Sequence, residues 1–148
     1  MRKSLILLLS IVLLSSCGGP TALYNWGGGG MSSTSAYEQL TYKNFSKQTP
    51  QSLCELVVMY EGLVNKPGGS RNVPPPGVCA EYGYLLLAPE TVAAFTEHAT
   101  TAQRGTFSST DYASYFREHC LELMQKEMDL YPESISFIRP LLERFSNR

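Results

Sequence analysis

Thr49-Pro50-Gln51-Ser52-Leu53-Cys54-Glu55-Leu56-Val57-Val58-Met59-Tyr60-Glu61-Gly62-Leu63-Val64 is the stretch from which the fold is read. Leu53, Leu56, Val57, Tyr60, Leu63 and Val64 recur at intervals of three and four, the period of one face of an α-helix. Thr49 stands where an N-cap belongs. Pro50 stands at the first helical position, where the missing N–H of proline costs nothing. The pattern stops before Pro67-Gly68-Gly69, and Asn72 to Pro76 follows as a stiff loop with three consecutive prolines. Upstream, Ser35 to Phe45 reads as a shorter helix with Tyr37, Leu40, Tyr42 and Phe45 on or near one face.

Downstream the same period continues. A helix from about Pro76 to Leu87 carries Val78, Tyr82, Leu85 and Leu86, with Gly83 permitting close approach of a neighbour. Pro89 to Ala102 reads as another, with a weak face of Val92, Phe95 and Ala99. After a loop over 104–109, Thr110 is the expected N-cap of a helix running to about Leu130, with Asp111 adding favourable charge to its first turn. Tyr112, Tyr115, Phe116, Cys120, Leu123 and Met124 should face inward. Pro132 opens a last helix bearing Ile135, Ile138, Leu141, Leu142 and Phe145, which Pro140 should kink or divide. No segment alternates with period two between hairpin turns. The expected fold is all-α, a small domain of about five or six helices.

The N-terminus sets where the domain sits. Arg2 and Lys3 precede an apolar run from Leu5 to Leu14, broken only by Ser10 and too short to span a bilayer. Leu14-Ser15-Ser16-Cys17 follows, and it resembles the bacterial lipobox, in which small residues precede a cysteine that carries lipid after cleavage. Residues 1–16 are therefore expected to be a signal peptide, with Cys17 acylated by palmitate-like chains. Gly18 in place of Asp favours the outer membrane by sorting rules, with the domain on the periplasmic face. Residues 17–34, rich in Gly and Ser, are expected to be a flexible lipidated tether ahead of a single domain over 35–148. The tether holds the only tryptophan, in Leu23-Tyr24-Asn25-Trp26. Trp26 could dock on the domain (the leading reading), lie at lipid headgroups or meet a partner.

Loss of Arg2 and Lys3 leaves ten basic and thirteen acidic residues with no basic run. That removes the electrostatic footprint of a nucleic-acid binder. Cys54, Cys79 and Cys120 remain; an oxidising periplasm permits one bridge, and three small buried side chains are the alternative. No grouping suggests catalysis or a metal. Glu118, His119 and Cys120 are adjacent, so on a helix their side chains diverge and do not make one metal site. Gly27 to Gly30 lack the strand, lysine and hydroxyl of a phosphate loop. Glu118, Glu122, Lys126, Glu127 and Asp129 read as a solvated face, with Glu122 and Lys126 spaced for a weak ion pair.

Two segments resemble a tetratricopeptide repeat. Val78-Cys79-Ala80-Glu81-Tyr82-Gly83-Tyr84-Leu85-Leu86 resembles its first helix, with Gly83 at the glycine position and Tyr82 the large residue before it. His119-Cys120-Leu121-Glu122-Leu123-Met124 through Pro132-Glu133-Ser134 resembles the second, with Cys120 at the small position, Met124 at the aromatic one and Pro132 at the closing proline. The resemblance implies Cys120 in the core and His119 off it. About thirty residues, Ala88 to Glu118, separate the two where an ordinary repeat has a short turn, so either a helical insertion bulges from the repeat or the helices pair differently.

The mature chain is also similar to a family of small bacterial lipoproteins classed as domain-of-unknown-function 4810. The similarity rests on the lipobox, Tyr24-Asn25-Trp26-Gly27, Tyr37-Glu38-Gln39-Leu40-Thr41-Tyr42, Thr49-Pro50, Val73 to Gly77 and the repeat-like segments. Gly28 to Ser35 and the Ala88–Glu118 insertion depart from it. The resemblance implies an accessory role beside a curli-channel-like (CsgG-like) lipoprotein at the outer membrane. The expectation is a non-enzymatic, protein-binding adaptor that needs no cofactor beyond its lipid and binds no nucleic acid. Tyr24, Trp26 and Tyr37 are its candidate contact residues, because stiff aromatic side chains concentrate at interfaces. An activator of a peptidoglycan-building enzyme, or a small periplasmic enzyme with an unrecognised site, are the alternatives.

Overall fold

The computed structural model describes residues 22–28 and 34–146; the expected signal peptide, Cys17 and the remainder of the tether lie outside them. The described chain is all-α, without strands. In order it forms α1 (Ala36–Lys47), α2 (Pro50–Asn65), α3 (Val78–Leu87), α4 (Pro89–His98), a single turn α5 (Thr101–Arg104), α6 (Tyr112–Leu130), a 3-10 turn (Pro132–Ser134) and α7 (Ile135–Ser146).

Most helix starts follow from local chemistry. The Ser35 hydroxyl accepts from the Glu38 amide while the Glu38 carboxylate accepts from the Ser35 amide, a reciprocal cap that begins α1. Thr49 and Ser52 do the same for α2 behind Pro50. The Ser52 hydroxyl also donates to Asn44 Oδ1 and so ties α2 to α1. Thr100 and Gln103 form a third such pair, which cuts the expected Pro89–Ala102 helix in two at Ala99 and Thr100. Before α6 the cap is Asp111, accepting from the Ser114 amide, and not Thr110. Pro132 does open a turn, and α7 then runs through the exposed Pro140 without being divided.

α3 and α6 make the most extensive helix contact, the pairing expected from the repeat-like segments. They run antiparallel: Gly77 and Cys79 at the start of α3 meet Glu127, while Gly83 lies on Cys120 and Met124. A Cβ built on Gly83 would stand 3.3 Å from the Cys120 carbonyl oxygen and 3.5 Å from its sulfur. Glycine at this point is what brings the two backbones together. The Ala88–Glu118 insertion folds inward: α4 packs on α2, and Phe95, Phe107, Tyr112 and Phe116 form an edge-to-face cluster in the main core. α7 covers the opposite side, where Ile138 meets Cys120, Met124 and Met128.

Two expectations about faces are corrected. Tyr42 and Phe45 are 73% and 77% exposed, because α1 touches little beyond α2 and about 100° per residue carries both away from the Tyr37–Leu40 edge. Glu127 is not on a solvated face but 2% exposed. Its carboxylate accepts from the Gly77 amide at 2.7 Å and the Cys79 amide at 3.2 Å. Gly77 has no side chain to cap α3, so a carboxylate from α6 caps it and meets the positive end of its dipole. Glu127→Leu should therefore cost about 2 kcal/mol through buried amides left without an acceptor, and Gly83→Leu about 1–3 kcal/mol through overpacking. Both are read as a lowered urea midpoint, and unchanged midpoints would contradict this account of the α3–α6 pair.

Candidate functional site

The expected tether is not free throughout. Ala22–Gly28 docks on the domain as a collar, in keeping with the docked reading of Trp26 as the exception within the tether. The Ser70 and Arg71 amides donate to the Ala22 and Leu23 carbonyls at 3.0 and 3.1 Å. The Ala36 and Tyr37 amides donate to the Gly27 and Trp26 carbonyls, both at 3.2 Å. These are first-turn N–H groups of α1, which have no partner within their own helix. Asn25 Oδ1 accepts from the Gly27 and Gly28 amides and turns the chain there. Gly69, at φ +76°, gives the collar its bed: a Cβ there would fall 2.5 Å from the Leu23 carbonyl oxygen.

The collar and the start of α1 enclose an open groove of about 620 Å³, lined by Tyr24, Asn25, Trp26, Tyr37, Glu38 and Gly68 among others. All three candidate contact residues thus reach one place. Their exposure differs. Trp26 remains 36% exposed with its ring edge-on to Tyr37 at 4.9 Å. Tyr24 is half-buried under Arg71, whose guanidinium lies 5.5 Å over the ring and donates to the phenol oxygen at 2.8 Å. Tyr37 is half-buried and its hydroxyl donates to Glu81.

Behind the groove an aromatic and acidic chain runs into the core. Tyr37 meets Tyr60 edge-on, Tyr60 stacks on Tyr82, and Tyr82 meets the His119 ring at 5.7 Å. The Tyr37 and Tyr60 hydroxyls both donate to Glu81 Oε2, at 2.8 and 2.9 Å. The Tyr82 hydroxyl donates to Glu61 Oε2 at 2.8 Å. His119 Nε2 lies 3.0 Å from the same oxygen, and Nδ1 lies 3.3 Å from Glu122. The expectation that His119 points off the core is therefore corrected: Glu61 on α2 draws it in, and Tyr115 stacks on it. Glu122 turns to His119, while Lys126 donates to the Val64 carbonyl, so their expected mutual pair gives way to these partners.

Titration follows from this geometry. Burial disfavours the imidazolium, but the hydrogen bond and charge of Glu61, with Glu122, outweigh it and hold His119 above its ordinary value. Burial likewise opposes the Glu61 carboxylate, and hydrogen bonds from His119, Tyr82 and Asn65 outweigh that and hold it low. The thiols differ: burial pushes Cys79 up to about 12 and Cys120 up to about 11, and Cys54 is also raised. All three are free, buried and protonated at neutral pH, so none is poised as a nucleophile. Among the described residues no three His, Cys, Asp or Glu side chains converge as metal ligands, and no helix is long and apolar enough to cross a membrane.

Sequence reasoning passed over Glu61, Glu81, Gly69 and Arg71. Glu61 had a signal. It follows Val57 by four residues and so shares the apolar face of α2, where a carboxylate demands partners. The chain matches no family model, no curated protein and no solved structure.

Two outcomes follow. Gly69→Ala should lift the collar and shift Trp26 emission to the red with little change in helix content by circular dichroism; unchanged emission would mean the collar does not depend on that close approach. The Glu61–His119 pair should make stability pH-dependent. The contribution of His119 is complete below its unfolded value near 6.5 and lost as pH rises through its raised folded value. That of Glu61 is present above its unfolded value near 4.5 and lost as pH falls through its lowered one. The urea midpoint should peak between the two and decline toward alkaline pH, and His119→Gln should flatten that decline.

Proposed function

We propose that the chain is a lipid-anchored, non-enzymatic adaptor of the bacterial envelope that binds a partner protein through the collar groove. The single observation that carries this reading is the groove itself. Tyr24, Trp26 and Tyr37 line one open concavity with Asn25 and Glu38 as polar groups. That mixture of stiff aromatic area and a few hydrogen-bonding groups suits recognition of a protein surface. The site offers stacking and hydrogen bonding through the residues that line it. The lipobox at Cys17, only a few residues before the collar, supports anchoring, and Gly18 supports the outer membrane. The motif resemblance to domain-of-unknown-function 4810 lipoproteins read from the sequence makes a curli-channel-like lipoprotein the partner to test first.

The deciding experiment is photo-cross-linking in living cells from position 26, followed by mass spectrometry. Capture of an envelope protein is the expected result, and it should disappear in Gly69→Ala, which removes the groove wall. Adducts confined to the protein's own helices would leave Trp26 with a structural role only and defeat the adaptor reading at this site.

A further inference from the structure

The collar fixes where the segment leading back to Cys17 leaves the domain. Ala22 is five residues from Cys17, and an extended chain covers at most about 3.6 Å per residue, so their Cα atoms lie within about 18 Å. A domain of this length is about 35 Å across. The link is thus shorter than the body it holds. Its point of exit cannot swing either, since the Ser70 and Arg71 amides clamp the Ala22 and Leu23 carbonyls.

What surrounds that exit suits a phospholipid surface. Leu23 is 61% exposed, and its side chain takes no part in the groove. Beside it Arg71 is exposed, and Lys66, also exposed, opens the same loop. Neither the collar nor the loop over 66–77 contains an acidic residue. An apolar side chain beside a cation and a phenol, with a second cation at the start of the adjoining loop, matches the boundary between acyl chains and anionic headgroups.

We propose that in the anchored protein the Leu23–Arg71 face lies on the phospholipid surface, with Leu23 at the acyl boundary and Arg71 and Lys66 at the phosphates. The groove then opens along the membrane plane, and its partner must meet it there. This rests on the lipid-anchor reading, because an unanchored domain would have too small a patch to bind lipid by itself.

The test uses the full-length lipidated protein, purified from its membrane and reconstituted into phosphatidylethanolamine–phosphatidylglycerol vesicles containing lipid brominated high on the acyl chain. The double variant Leu23→Trp, Trp26→Phe places the sole tryptophan at the proposed contact. Co-flotation with the vesicles and the mass of the Cys17 peptide report the anchor separately. The expected result is flotation with bromolipid quenching of emission by about half, relieved when Lys66→Glu and Arg71→Glu are added. Flotation without quenching would overturn the contact face and leave the anchor standing. An unmodified Cys17 with no flotation would remove both. A photo-cross-linker at position 23 in cells should capture phospholipid; capture of a protein there overturns the proposal.

Discussion

A glycine on one helix lying against the backbone of another sets the rest of the arrangement. Gly83 lets α3 settle onto Cys120 and Met124 of α6, and the Glu127 carboxylate from the same helix closes the N-terminus of α3. With that pair in place Tyr82 is fully buried and gives α2 a ring on which Tyr60 stacks. α7 can then pack on the far side, where Cys120, Met124 and Met128 present an apolar surface. A side chain at position 83 would separate the helices and change the geometry of each of these contacts.

The second constraint is the buried acid on α2. Glu61 is 5% exposed, which a carboxylate tolerates only when its charge and lone pairs are met. Tyr82, Asn65 and His119 meet them, from three different places in the chain. A buried pair of this kind contributes less to stability than its contacts suggest, since desolvation opposes it. Its evident effect is on position, because it holds α2 and α6 at one rotation each. Through Tyr60 and Glu81 the same network reaches Tyr37, so the floor of the groove is set by the core.

The collar links that core to the N-terminal segment. It supplies carbonyls to the first amides of α1, and α1 in turn supplies Tyr37 against Trp26. The groove exists only while the collar is docked, since five of its residues, Ala22, Tyr24, Asn25, Trp26 and Gly28, come from the collar itself. The proposed recognition surface, assembled from the segment nearest the proposed anchor, would have its orientation limited by a short link.

The sequence by itself determined most of the helices and several of their starts, because these depend on neighbours in the chain, though the break at Ala99–Thr100 and the Asp111 cap were not read from it. The period of Leu53 to Val64, the Thr49-Pro50 start and the pairing of Val78–Leu86 with the segment after His119 were all legible. So was the docking of Trp26 as one of three choices. Tertiary structure decided what depends on residues far apart. The charge pattern placed Glu127 on a solvated face and the repeat resemblance placed His119 off the core, and only the approach of α3 and of Glu61 turned them inward. It assigned Tyr42 and Phe45 to a face, and only the edge position of α1 left them bare. The bed for the collar at Gly69 and the Arg71 guanidinium over the Tyr24 ring join residues more than forty positions apart. A lone chain pattern carries the angle of a side chain around its own helix, but not which neighbour will fill the space that it faces.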